Sequence, residues 1–249
     1  MPRDDLVYGP HSVRDALDAN RVTKVWILDT KDRGKASQLR EELAELAAKS
    51  GINIERVPRS YLDSRMGRAN HQGIIAKVSP FPYAEFDSWL AEISRKKNCL
   101  IIVLDGLQDP GNLGHILRQA AGFAANGVII PENRAVGITP TVEKTSAGYA
   151  SKVPICRVVN FSRAIESLKE SGISCYALEM KADAKLTEIE FSEKSAIVLG
   201  SEHEGISRLI RKKCDETVSI PMPGPIESFN VATSAAIAMY EYRRRFTLR

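Results

Sequence analysis

Three loops of this 249-residue chain concentrate residues that can do chemistry. The first is DGLQDPGNLGHILR, residues 105–118, where Asn112 precedes Arg118 by six positions. An amide that donates and accepts is followed there by a permanent cation. Gly111 and Gly114 let another chain or a ligand approach the backbone. Alone, the loop reads equally well as a βα turn with Asn112 as N-cap and Arg118 in solvent. The second is LGSEHEGIS, residues 199–207. Gly200 can admit a flat ligand against the backbone, and Glu202 can orient a partner or bond an amine. Equally, Ser201 to Glu204 can be the first turn of a helix, where acids favour the dipole. The third is SIPMPGPIESFNVATSAAIAMYEYRRR, residues 219–245, a proline-stiffened loop entering a helix through Ser228 and Asn230. Its small residues, Ala232, Ser234, Ala235, Ala236 and Ala238, permit close packing. The plainer reading is a capped core helix with a basic tail, Arg243 to Arg245, in solvent.

Other chemistries lack their residues. There is no G-x-G-x-x-G, no G-x-x-x-x-G-K-[ST] and no G-x-S-x-G, and nothing pairs Ser146 with His115 into a triad. Cys99, Cys156, Cys175 and Cys214 form no C-x-x-C pair, and His11, His71, His115 and His203 are scattered, so no metal site is expected. The cysteines lie in or beside apolar segments, as reduced buried thiols of a cytoplasmic protein would. The amino terminus has no apolar signal core, and no run approaches a membrane span. The formal charge of +4 permits a nucleic-acid partner without requiring one.

Each of the three loops follows an apolar run of strand length, and in open α/β sheets ligands sit beyond the carboxyl ends of strands. Strands are expected at 100–104, 127–131, 153–158, 174–178, 195–199 and 217–220, with helices at 113–125, 161–171, 206–213 and 228–245. Continuous apolar strands argue for a parallel sheet covered on both faces. Upstream, strands at 22–28, 52–57 and 73–78 alternate with helices at 10–19, 35–50 and 60–66, an α/β sandwich. The expected division is a front domain at 1–79, a linker with a short amphipathic helix at 80–97, and a second domain at 98–249.

In this order and spacing the loops resemble the three motifs of the SPOUT superfamily of RNA methyltransferases, in its SpoU branch. N-x-G-x-x-x-R is matched by Asn112, Gly114 and Arg118, and L-G-x-E-x-x-G by Leu199, Gly200, Glu202 and Gly205. The third motif is matched by Ile220 to Met222, Gly224, Ser228, Phe229, Asn230 and Val231. YGPHSVRDAL (8–17) and NHQGIIAKV (70–78) resemble the substrate-binding domain of the bacterial 23S ribosomal RNA guanosine-2′-O-methyltransferases. The resemblance implies a parallel-sheet domain with a C-terminal trefoil knot, preceded by a small α/β domain like ribosomal protein L30e/L7Ae folds. It implies a homodimer that transfers methyl from S-adenosylmethionine to a ribose 2′-OH of RNA, most closely a guanosine of large-subunit ribosomal RNA. Leu199, Gly200, Ile220, Met222 and Phe229 would hold the cofactor. Arg118, Asn112, Glu202, Ser228 and Asn230 would form the catalytic set, with Arg118 acting near the partner's cofactor. Arg14, Arg65, Arg68, Asn70, His71 and Gln72 would grip RNA; without the resemblance, His71 reads as a turn residue. Two positions depart from the usual pattern: Phe229 stands where Leu is common, and His203 where small residues are frequent. The rival readings are a transfer-RNA ribose methyltransferase, a catalytically silent ribosome-binding or assembly protein, and a small-molecule α/β enzyme.

Overall fold

The computed structural model describes residues 5–30, 34–67, 69–202 and 204–246. The chain divides into two units: one runs to Pro82 and includes Ile138–Gly148, and the other holds Tyr83–Gly137 and the residues from Tyr149 on. Arg68 and His203 lie outside the described residues.

In the first unit, β1 (Leu6–Tyr8), α1 (Pro10–Asp18), β2 (Val22–Leu28), α2 (Lys35–Lys49), β3 (Asn53–Val57), α3 (Arg59–Met66) and β4 (Ile74–Val78) follow in order. The sheet order is β1-β4-β2-β3. β2 and β3 run parallel, and β4 is antiparallel to β1 and β2. Alternation along the strands feeds two cores. Val7, Val25, Ile74 and Ala76 face α1 and α2, while Leu6, Trp26, Val57 and Ile75 face α3. Residues 140–145, outside the expected front domain, form α6 and belong to this unit. There Glu143 pairs with Arg21, which is 6 % exposed and also donates to Ser79 O at 3.0 Å.

The second unit begins before the expected boundary. Residues 83–97, read from sequence as linker and short helix, pack into it. Ala84 bridges Cys156, and α4 (Phe86–Ile93) is capped by Glu85 and buries Trp89, Leu90 and Ile93. Trp89 lies so close over Gly127 that a Cβ there would come 2.4 Å from the indole. The remaining elements are β5 (Cys99–Asp105), α5 (Pro110–Gly122), β6 (Gly127–Pro131), a 3-10 turn (Tyr149–Lys152), β7 (Ile155–Val158), α7 (Phe161–Glu170), β8 (Ser174–Leu178), β9 (Ala184–Lys185), β10 (Lys194–Gly200), α8 (Arg208–Lys213), β11 (Glu216–Ser219) and α9 (Val231–Phe246). The seven strands are all parallel, in the order β7-β6-β5-β10-β8-β11-β9. Cys99, Ile101 and Val103 of β5 join the core under α4, α7 and α8. Leu100, Ile102 and Leu104, at most 1 % exposed, point the other way, the side where α5 and α9 pack. Burying each such side chain contributes about 2 kcal/mol.

Candidate active site

β5, β10, β8 and β11 are parallel neighbours, so their carboxyl ends open on one edge. Three of the loops there are the polar ones. Gly200 ends β10 opposite Asp105. A Cβ on it would lie 1.9 Å from Gly205 C and 2.1 Å from Gly205 O. The loop folds back on itself through Gly205 N to Ser201 O at 3.0 Å, with Gly205 at φ +64°. The bare backbone at 200 therefore accommodates the chain's own return, not only a flat ligand. Nor do Ser201, Glu202 and Glu204 open a helix, because α8 starts at Arg208.

Asn112 is not the cap of α5. Asp109 holds that place, its Oδ1 accepting from Asn112 N at 2.7 Å, with Pro110 as the first helical residue. An earlier start puts Asn112 inside the first turn and leaves its side chain to reach outward. Its Nδ2 donates to Glu202 Oε1, and its Oδ1 accepts from Asn230 Nδ2 at 3.0 Å. Asn230 Oδ1 in turn accepts from Ala232 N at 2.8 Å, capping α9. One node thus ties the three loops, about 90 and 118 residues apart in sequence.

Beside the node opens a cavity of about 600 Å³. Leu199, Gly200, Ile220, Met222 and Phe229 all line it, as do Glu202, Ser228 and Asn230. Apolar residues share its lining with charged and hydroxyl-bearing ones, the make-up of a site for a flat heterocycle bearing hydroxyl or charged groups. Ser228 is exposed and makes no hydrogen bond to the described residues, so its hydroxyl is available. Arg118 stands apart. It is exposed on α5, lines no part of this cavity, and has no hydrogen bond or ion pair among the described residues. Leu178, Glu179 and Arg211 line the cavity and were missed from sequence. The available signal is the carboxyl end of the apolar run at 174–178, a strand end like those before the three polar loops.

The front-unit candidates do not form one patch. Arg14 is on α1 and Arg65 on α3, on opposite faces of the sheet. The Arg65 guanidinium lies 4.6 Å from the ring centres of both Trp26 and Tyr61 and donates to Tyr61 Oη at 2.6 Å. His71 is 4 % exposed; its Nε2 meets Asp63 Oδ1 at 2.8 Å, and its Nδ1 accepts from Gly73 N at 3.0 Å. It anchors the loop before β4 rather than facing a ligand. Asn70 and Gln72 are exposed on that loop. The tail is likewise not free in solvent. Arg243 donates to Phe123 O and Ala124 O, each at 2.6 Å, and Arg245 donates to Thr187 O at 3.0 Å. Arg244 and Arg245 both bind Glu241.

Burial pushes the Cys156 thiol up to about 12; Cys214 also rises to about 12, burial first and nearby Asp215 second. Burial raises Cys99 and Cys175 too, so all four are poor nucleophiles. Among the described residues no group of three or more His, Cys, Asp or Glu is placed to hold a metal ion, and no helix is long and apolar enough to cross a membrane.

Residues 99–240 match the family model of the SpoU rRNA Methylase family, and residues 6–84 match that for RNA 2′-O ribose methyltransferase substrate binding. The Bacillus subtilis protein YacO, assigned by name to the TrmH family of tRNA/rRNA methyltransferases, is 38% identical over 244 residues, 97% of this chain and 96% of its own. An AdoMet-bound rRNA methyltransferase from Sinorhizobium meliloti shares the fold with a TM-score of 0.79 at 22% identity, over 97% of this chain and 87% of that one. A crystallised RNA 2′-O ribose methyltransferase gives 0.73 at 26% identity, over 96% and 88%. The first match spans the node and the cavity together, and the chain belongs to the SpoU rRNA methylase family of RNA methyltransferases.

Proposed function

We propose that the chain transfers a methyl group from S-adenosylmethionine to a ribose 2′-OH, on a guanosine of large-subunit ribosomal RNA, as a cytoplasmic homodimer. The observation that carries this reading is the node of Asn112, Glu202 and Asn230 beside the cavity. It ties the acceptor-side helix α5 to both loops that wall the cavity. The cavity residues fit the donor. Apolar Leu178, Leu199, Ile220 and Met222 suit a purine, and lining carboxylates and hydroxyls suit a ribose and an ammonium. The front unit's match to a substrate-binding family supports RNA as acceptor, and the motifs at 8–17 and 70–78 support the ribosomal guanosine. Exposed Asn70 and Gln72 and the outer face of α1 with Arg14 are its proposed RNA contacts. A mixed four-stranded sheet with helices on both faces supports the L30e/L7Ae likeness. The knot is supported by connectivity. After β11, beyond β8, the chain returns as α9 to β5, where Tyr242 Oη donates to Cys99 O at 3.0 Å.

When bound, S-adenosylmethionine supplies an electrophilic sulfonium methyl. The chain's task is to align the 2′-OH and help its proton leave. A guanidinium is a poor base, so Arg118 acts by binding the target phosphate or stabilising the developing alkoxide. That it lines no part of its own cavity supports action at a partner's site. Ser228, with an uncommitted hydroxyl, hydrogen-bonds the acceptor, while Asn112, Glu202 and Asn230 hold the loops in register. Arg118→Ala should lower methyl transfer by about 10²-fold or more with donor affinity near wild type. Wild-type turnover in that variant would remove Arg118 from the mechanism. The target is tested by mass spectrometry of ribosomal RNA from a deletion strain, where one ribose methyl should be missing and should return when purified enzyme is added. An intact set of ribosomal marks would exclude this substrate.

A further inference from the structure

The cavity holds an ion pair that none of the three motifs reaches. Glu179 follows Leu178 at the carboxyl end of β8, and Arg211 projects from α8; both line the cavity. Arg211 Nη1 donates to Glu179 Oε2 at 3.2 Å, and the Glu179 side chain is 19 % exposed. Glu179 N donates to Val218 O at 2.9 Å, which fixes the residue beside the strand leading to Ile220. A partly exposed pair adds little to stability, so its place on a cavity wall calls for a ligand.

The sheet order gives the cavity two ends. The node of Asn112, Glu202 and Asn230 lies at the β5–β10 end, and Glu179 lies one strand further, at β8. Resting on the donor assignment above, the transferable methyl must face the node, where the acceptor arrives on α5. In S-adenosylmethionine the ribose and the amino-acid end branch from the same sulfur as the methyl, so one of these two arms extends from the node toward β8. Glu179 Oε1 has no hydrogen bond among the described residues, while Oε2 is committed to Arg211. We propose that Glu179 is the residue that recognises the ribose diol of the donor, with Arg211 fixing the orientation of its carboxylate.

A carboxylate beyond a strand end that accepts from ribose hydroxyls is a recurrent solution in nucleoside sites. The alternative occupant is the donor's zwitterionic amino-acid end, its ammonium on Glu179 and its carboxylate on Arg211. In that arrangement the ammonium meets a carboxylate whose charge Arg211 already offsets, and the donor's carboxylate competes with Glu179 Oε2 for the same guanidinium. A diol needs only the free lone pairs of Oε1, and the pair stays closed.

Isothermal titration separates the two without turnover. Wild type, Glu179→Ala and Arg211→Ala are titrated with S-adenosylhomocysteine and with methylthioadenosine, which keeps the ribose but lacks the amino-acid end. In Glu179→Ala both ligands should weaken by a similar factor, about tenfold. Arg211→Ala should give a smaller loss, again equal for the two. Unchanged methylthioadenosine binding with weakened S-adenosylhomocysteine would overturn the ribose role in favour of the amino-acid end. Unchanged binding of both would overturn any ligand role. Melting curves check folding. Should the alanine variant unfold, isosteric Glu179→Gln, which weakens the acceptor without removing its shape, is read against the same two ligands. Wild type that binds neither ligand would sink the donor assignment itself, and the role of Glu179 with it.

Discussion

A single methyl group at position 200 would sit 1.9 Å from the carbonyl carbon of Gly205, closer than any non-bonded contact allows. Gly200→Ala must therefore push the 201–206 turn away from the end of β10, moving Glu202 off the node and reshaping the cavity wall. The expected cost is about 1–3 kcal/mol, read as a lowered melting temperature, together with loss of donor binding in a titration. A variant that melts and binds like wild type would mean that the turn relaxes freely and that the glycine is dispensable. Asp109 and Asn112 separate two roles that the sequence merged. Asp109→Ala removes the cap of α5 and should cost about 1 kcal/mol of stability. Asn112→Ala leaves the cap intact, so its melting temperature should fall less while methyl transfer falls more. Equal stability losses with equal activities would contradict that division. The order of the motif residues was legible in the sequence, but the cap was not. Asp109, Pro110 and Asn112 all suit a helix start, and only the observed bond from Asn112 N to Asp109 decides among them.

Helix α9 is held at its far end by carbonyls and one carboxylate. Glu241, 7 % exposed, accepts from Arg244 and Arg245, and the Arg244 hydrogen bond first, then that from Arg245, holds its carboxyl below the ordinary 4.5. A depressed folded-state value means that the unfolded chain binds the proton more readily. The stability this group contributes is present above the unfolded value of 4.5 and is lost as pH falls through the lower, folded value. Glu241→Gln should therefore melt below wild type near neutrality, and the gap should close as pH falls below 4.5 and through the lower, folded value. A gap that stays constant across that range would show that the charge on Glu241 contributes nothing. The long apolar strands at this scale were legible, because continuous runs such as Leu100 to Leu104 have one stable use, a covered parallel sheet. Three-residue β1, two-residue β9 and six-residue α6 were not, since so few residues carry no period. The basic tail was misread for another reason. The acceptors of Arg243 and Arg245, at Phe123, Ala124 and Thr187, are remote in sequence, and nothing local announces them.

Arg118 links the site to the assembly of the whole molecule. It shares α5 with Asn112, yet six positions on a helix turn it to another face, and it lines no part of the cavity beside the node. If each chain completes its own site, Arg118 must act from outside that cavity; if two chains pair, it can serve the other's. Mixing two inactive variants distinguishes these arrangements. Arg118→Ala lacks the cation, and Ile220→Asp places a carboxylate in the cavity wall and should not bind donor. In a homodimer with action across the interface, random reassortment leaves half of the dimers mixed, each with one complete site, so activity should return to about a quarter of wild type. With action within one chain, no chain of the mixture holds both intact parts and activity stays at background. Mass measurement of the mixed sample confirms that reassortment took place, so background activity in a reassorted dimer would mean that Arg118 works on its own cavity and that the proposed exchange between partners is wrong.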